Sequence, residues 1–320
     1  MCTKECNSSH HLQLVQSASI RLNVSMAITQ IFVWPLIYIN ILMLITFSRK
    51  QAFRTETRYL LFAHTLFVEL IFLMLIDFVI ILTYNYVLMP MAFCIPICML
   101  METLTTCTPL TITAMCVECY VAICMPLRHS AISTDSRTII AIFIIWILSS
   151  IQSFVDLFIL VTTASKEYLS QFSFCHYEIM MPEKWHRLLR SVIYVISFII
   201  VLFVELFCYV MIVISARAAS IDKKSASKGL RTISLHMLQL TLCTIEIFCP
   251  YIEAVILEQD IQLYLSVRFF NFIMFNLIAR AVSPLIYGLR DEKFYATLVY
   301  YIRCRQNHIS SESRVPNTKQ

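Results

Sequence analysis

The residues that could do chemistry in this 320-residue chain are ionisable side chains set inside long apolar runs. Glu69, Asp77, Glu102, Asp156, Glu205, Glu246, Arg268 and Arg280 all stand there. On insertion scales each such charge costs about 2.5–3.5 kcal/mol at the centre of a spanning helix. A residue kept at that cost pairs internally, carries its proton, or meets a charged ligand. Catalytic signatures are absent: neither H-E-x-x-H nor G-x-S-x-G occurs. His64 and His236 fall near the ends of apolar runs, where a solvated role is the plain reading. Only two glycines occur, Gly229 and Gly288, so no glycine-rich loop can cradle a phosphate or dinucleotide. The thirteen cysteines show no zinc-ribbon spacing and read mostly as small apolar residues. Cys2, Cys6, His10 and His11 are too irregularly spaced to be read as a metal site. No metal and no cofactor is expected, and nothing points to nucleic acid.

What must position these residues follows from composition. The chain is 59% hydrophobic and 14% charged, against about 25% charged in a soluble domain. A spanning helix needs roughly 20 mostly apolar residues. Seven segments qualify: 26–47, 59–83, 92–124, 138–162, 189–215, 230–254 and 262–288. The third exceeds one perpendicular crossing, so it tilts or extends into the interface. No segment alternates with period two, which argues against a β-barrel. The expectation is an all-α bundle of seven membrane helices.

Basic residues orient it. One set of loops and the tail hold Arg49, Lys50, Arg54, Arg58, Arg128, Arg137, Arg217, Lys223, Lys224, Lys228, Arg231, Arg290, Lys293, Arg303, Arg305, Arg314 and Lys319. The other side holds only Lys4, Arg21, Lys166, Lys184, Arg187 and Arg190. The positive-inside rule puts the first set in the cytoplasm and the N-terminus outside. The sequons at Asn7 and Asn23 both fall in the outer segment 1–25. That segment has no apolar core for a cleavable signal, so the first span is expected to serve as the targeting signal. After the bundle (26–288), residues 289–305 place Phe294, Tyr295, Leu298, Val299 and Ile302 on one helical stripe. This reads as an amphipathic helix against membrane lipid, with Cys304 a candidate for a palmitoyl chain. Residues 306–320 read as a disordered cytoplasmic tail.

Motifs narrow the function. Residues 115–129 read MCVECYVAICMPLRH. This resembles the odorant-receptor signature M-A-x-D/E-R-Y-V-A-I-C-x-P-L-R-Y/H. Residues 283–291, SPLIYGLRD, resemble the N-P-x-x-Y-x-L-R-N/D ending of the same family. Lys228-Gly229-Leu230-Arg231-Thr232 followed by His236 resembles its K-A-x-x-T-C-x-x-H pattern, and Arg58-Tyr59-Leu60-Leu61-Phe62 is similar to the fish form. The resemblance covers about residues 25–300 and is to the odorant receptor family of rhodopsin-like G-protein-coupled receptors.

What the resemblance implies is a plasma-membrane receptor that binds a small-molecule odorant among the outer halves of its helices. Movement at the cytoplasmic face would then admit a heterotrimeric G protein. It implies a disulfide between Cys94 and Cys175, and a pocket from Met101, Glu102, Thr105, Thr106, Ile193, Ser197, Ile247, Tyr251 and Asn276. Glu102 and Glu246 stand near pocket height, where a cationic ligand or Arg268 or Arg280 would meet them. The resemblance also implies an inner polar network of Asn40, Glu69, Thr108 and Ser283, which holds sodium in some relatives. The switch would be Glu118, Cys119, Tyr120, Pro126, Ser283, Pro284 and Tyr287. Here the chain departs from the pattern. Cys119 replaces an arginine that in the family holds the acidic neighbour and meets the G protein, so Glu118 is expected to lack its adjacent partner. Glu69 and Ser283 replace Asp and Asn. A degenerate receptor that folds but couples weakly therefore stands as the alternative. A transporter is disfavoured by the absence of mid-span glycine and of internal repeats.

Overall fold

The computed structural model describes residues 2–218, 259–281 and 294–300, together with parts of 234–256, and describes side chains from residue 20 onward except at 177 and 216–218. Among the described residues six helices are long and apolar enough to cross a membrane. They belong to α1 (Cys2–Arg49), α3 (Thr57–Tyr84), α4 (Met91–Cys124), α6 (Asp135–Thr163), α8 (Lys184–Ala218) and α9 (Ile261–Asn271), which runs on as a π-helical turn, Phe272–Ile278. Short pieces join them: α2 (Gln51–Arg54), α5 (Pro126–Ile132), α7 (Lys166–Leu169) and a 3-10 turn, Tyr177–Met180. The sixth expected span, 230–254, falls mostly outside the described residues.

The helix boundaries follow local chemistry. Asp260 caps α9 by accepting from the backbone N–H of Gln262 and Leu263, and Ser165 caps α7 by accepting from Tyr168. Pro126 opens α5 at its first turn, where a missing N–H costs nothing. At the other extreme α1 has no break between its polar start and its apolar stretch, Ile20–Arg49; Pro35 lies within it. The third span is one helix of 34 residues. At 1.5 Å per residue it is about 51 Å long, against a hydrocarbon core of about 30 Å.

Packing is inside-out relative to a soluble bundle. On α6 the buried stripe is Ile145, Ser149, Gln152, Ser153, Asp156 and Leu160, while Phe143, Ile147, Ile151, Phe154 and Phe158 face outward. The buried positions recur at helical spacing and are largely polar, which suits a helix solvated by lipid. Helix α4 is the hub, packing against α3, α6 and α8, while α1 packs on α3. One end of the bundle carries the paired strands β1 (Met89–Pro90) and β2 (Phe172–Ser173), antiparallel with Met89 opposite Ser173. That is the disulfide end.

The opposite end carries Glu118. Close to it, residues 294–300 are helical. Phe294 seats in an aromatic cluster, its ring centroid 5.3 Å from that of Phe53 and 5.5 Å from that of Phe62. Leu298 is buried in the same cluster, and Lys50 Nζ donates to Thr297 at 3.2 Å. The expected amphipathic stripe thus docks partly on protein, with Tyr295 left exposed. Cys304 and the tail lie outside the described residues.

Candidate functional site

Cys94, in the first turn of α4, is bonded to Cys175 in the long loop after α6. The bond and the β1–β2 pairing hold that loop against the disulfide end. Met91, Cys94, Leu160, Ile179, Met180 and Met181 pack there as one apolar cluster. Tyr168 donates to the carbonyl of Ile179 at 2.9 Å, and its burial raises the phenol above its ordinary pKa. Glu178, in the same loop, reaches Arg268 of α9 at 3.7 Å.

Directly beneath lies a buried charge cluster built by α4, α6 and α8. Asp156 is fully buried and accepts three bonds: from Gln152 Nε2 at 2.9 Å, His186 Nε2 at 2.8 Å and Arg190 Nη1 at 2.9 Å. Arg190 turns its other nitrogen, Nη2, to Glu102 Oε1 at 2.9 Å. Tyr194 accepts from the same Nη2 at 3.2 Å and donates to Glu102 at 3.1 Å. The planar fork of arginine suits this bridge between two carboxylates, which a lysine point charge would not span. Ser153 and Thr103 close the margin, their hydroxyls 3.1 Å apart.

A second cluster sits deeper, between α3, α4 and the helix that follows the π turn. Glu69 is fully buried. Its Oε1 accepts from Thr108 at 3.2 Å and its Oε2 from Arg280 Nη1 at 3.2 Å. Arg280 Nη2 reaches Thr105 at 3.4 Å, and the guanidinium lies 3.5 Å from the Phe72 ring centroid. Helix α4 therefore carries one polar column, from Glu102 through Thr105 to Thr108. Farther along it Thr111 meets His64 Nδ1 at 3.1 Å, and Thr113 meets the buried Glu205 at 3.5 Å. Asp77 accepts from Gln30 of α1 at 2.7 Å.

Several expectations need correction. Arg190, counted with the outer charges although it stands at the start of the 189–215 run, is buried rather than at the outer surface. Helix α8 starts at Lys184, earlier than the apolar run suggests, and Arg190 is 9% exposed. Glu102 pairs with Arg190, not with Arg268 or Arg280. Asn40 does not join Glu69: it donates to Leu36 of its own helix at 2.9 Å, and Arg280 takes that place in the network. Glu118 has no arginine beside it, since residue 119 is cysteine, and is met instead by His129 of α5 at 3.2 Å. His64 is buried rather than solvated.

Of the expected pocket, Glu102, Thr105 and Thr106 lie along the column, Thr106 donating to the Glu102 carbonyl at 3.1 Å. Met101 is half-buried beside Val68 and Leu104. Ile193 and Asn276 are half-buried, the latter in the π turn, while Ser197 is exposed on α8. Ile247, Tyr251 and Glu246 lie outside the described residues, as do Ser283, Pro284 and Tyr287. Asn23 is exposed on α1 and accepts from Tyr84 at 2.9 Å; the Asn7 side chain lies outside the description. Two surface hollows lie away from Glu102. One, of about 590 Å³, runs along the lipid-type face of α6 from Trp146 to Phe158. The other, of about 460 Å³, lies between Ile20, Val24 and Phe269.

Sequence reasoning missed His186 and Arg190. The signal was present: His186, Arg190 and Tyr194 recur at i, i+4 and i+8, one polar stripe at the start of an apolar helix. At the Glu118 end, Cys119 packs with Leu61, Met115 and Cys208, Tyr120 lies 5.9 Å from Phe207, and Pro126 starts α5.

Comparison with known proteins agrees with this architecture. Residues 39–287 match the seven-transmembrane receptor family of rhodopsin type. The chain is 39% identical over 276 residues to odorant receptor 131-2 of Danio rerio, covering 86% of this chain and 85% of that protein. A shorter stretch of 112 residues is 38% identical to human growth hormone secretagogue receptor type 1, covering 33% of this chain and 30% of that receptor. The chain belongs to the rhodopsin family of seven-transmembrane receptors, alongside the odorant receptors.

Proposed function

We propose that this receptor is an odorant receptor of the plasma membrane, with its N-terminus and disulfide end outside the cell. A small odorant binds between α4 and α8, beneath the loop tied by Cys94–Cys175. The observation that carries this reading is the Glu102–Arg190–Asp156 cluster, polar, shielded from lipid and roofed by that loop. Its members come from three helices, so a ligand that prefers one arrangement of the three shifts the population of bundle states. Met101, Thr105, Thr106, Ile193 and Asn276 supply the mixture of apolar wall and sparse polar groups usual in ligand sites. The Glu118 end, with Tyr120 and Pro126, is where a heterotrimeric G protein docks. Ser197 is the weakest of the proposed pocket residues, because it is exposed on α8.

The test is cAMP measured in cells expressing the receptor, against an odorant panel, with surface staining on the same cells. A dose-dependent rise that Glu102→Gln shifts supports the reading. Normal surface density with no response to any G-protein readout counts against it.

A second reading, a receptor that folds but couples weakly, is favoured by Cys119 together with the Glu118–His129 contact. Glu118 is held there without an adjacent arginine. Cys119→Arg is expected to draw Glu118 away from His129 and to change ligand-free cAMP by about tenfold or more, on a charge-assisted contact of about 1.5–3 kcal/mol. Unchanged cAMP at equal surface density would remove any switching role from this position.

A further inference from the structure

The deeper cluster contains a cation that belongs to the chain. Among the described residues Arg280 is the cation that reaches Glu69, and both are buried: Glu69 fully, Arg280 to 4% exposure. Beside the carboxylate stands the Thr108 hydroxyl, 3.2 Å from Oε1. A buried carboxylate with a hydroxyl at this distance is oxygen-donor chemistry that attracts a small hard cation. Here that place is filled. Arg280 Nη1 lies 3.2 Å from Glu69 Oε2 and 3.5 Å from Thr108 Oγ1, Nη2 lies 3.4 Å from Thr105, and Phe72 lies against the guanidinium face.

We infer that Arg280 is a resident counter-ion, which occupies the place a diffusible cation would take on Glu69 and thereby ties the helix after the π turn to α3 and α4. The difference from a bound ion is mechanical. A diffusible ion leaves when the helices part. A guanidinium on the backbone leaves only if its helix moves. Because Arg280 follows a π-helical turn at Phe272–Ile278, the tether sits where the helix is already irregular, a feature common at functional positions. Three helices are held by one side chain, and two of them, α3 and α4, do not depend on it to meet each other. Arg280 is in this sense a positioning residue for the last span. The inference goes beyond the receptor assignment, and its readouts need neither an odorant nor a G protein.

The experiment uses the purified full-length receptor in detergent. Unfolding is followed with a thiol-reactive dye, since Cys98, Cys107 and Cys116 are buried until the bundle opens. Wild type is expected to melt at the same temperature in sodium chloride and in N-methylglucamine chloride of equal ionic strength. Arg280→Met empties the place beside Glu69, and its melting temperature is expected to rise with sodium and not with N-methylglucamine. Arg280→Lys retains a cation and is expected to stay insensitive to sodium. Arg280→Met should also lower surface density about tenfold or more, because one member of a buried pair is left alone. Glu69→Gln combined with Arg280→Met removes both charges and is expected to recover most of that loss and to be insensitive to sodium. If the single variant cannot be purified, recovery by the double variant still supports the pairing. Sodium stabilisation of wild type would overturn the inference. So would a double variant no better expressed than the single, or a purified Arg280→Met receptor that ignores sodium.

Discussion

Arg190→Ala is expected to remove nearly all folded receptor from the cell surface. The substitution leaves Asp156 and Glu102, both buried, without their shared cation. Breaking a buried pair from one side costs about 3–5 kcal/mol, and the stability of a typical domain is only about 5–15 kcal/mol. His186 does not replace the guanidinium, because it reaches Asp156 alone. The measurement is the ratio of surface to total receptor by flow cytometry, with the melting temperature of whatever can be purified. Arg190→Lys should recover only part of the loss, since an ammonium cannot bridge two carboxylates held by opposite sides of a planar fork. Glu102→Gln on the Arg190→Ala background should recover more than it costs alone, because it removes one stranded charge. A surface ratio equal to wild type for Arg190→Ala would show that the cluster is not under electrostatic obligation.

The second large effect belongs to the disulfide. Cys94→Ser is expected to destabilise the receptor by about 2–4 kcal/mol, near the usual range for loss of a native bridge. The bond closes a segment with a sequence separation of 81, for which the chain-entropy model gives about 4.5 kcal/mol. The lower figure is expected because α4 and α6 remain helical in lipid even when the bundle comes apart, so less freedom is gained. Cys175→Ser should match it, and the double variant should be no worse than either single, since one bond is lost in all three. Surface staining and melting temperature measure this. Additive losses in the double variant would mean that the two thiols act separately. Odorant response should fall further than surface density, because the loop between β2 and α8 would no longer be pinned over the Glu102–Arg190 cluster.

The spans were legible because their cause is one-dimensional. An apolar run long enough to cross hydrocarbon has few other structures open to it, so α3, α4 and α6 can be placed within a few residues from hydropathy alone. The Cys94–Cys175 bond was reached by a different route, the likeness of residues 115–129 and 283–291 to a known family. What stayed illegible is who pairs with whom. Glu69 and Arg280 are 211 positions apart, and their meeting depends on how three helices are rotated. A list of buried charges offers many pairings and no energies to choose among them. Arg190 failed for another reason. The apolar run 189–215 already contains Arg190, but hydropathy reads a charge at the edge of a run as facing water, and it leaves out the first turn from Lys184, which carries His186 to the same buried carboxylate. The Glu118–His129 contact was hidden because it depends on the helix break at Met125, after which α5 brings a residue 11 positions away beside α4.

The inside-out polarity of α6 has a practical consequence. Water solubility in such a helix is a matter of one surface only. Replacing Phe143, Ile147, Ile151, Phe154 and Phe158 with glutamate, lysine or glutamine would leave Gln152, Ser153 and Asp156 in their present bonds. Those residues already make a specific polar interior, the part hardest to invent in a soluble design. A detergent-free form of this receptor is therefore a question of repainting the lipid-facing sides of its helices, with the charge clusters on α4 serving as the fixed internal address of each neighbour.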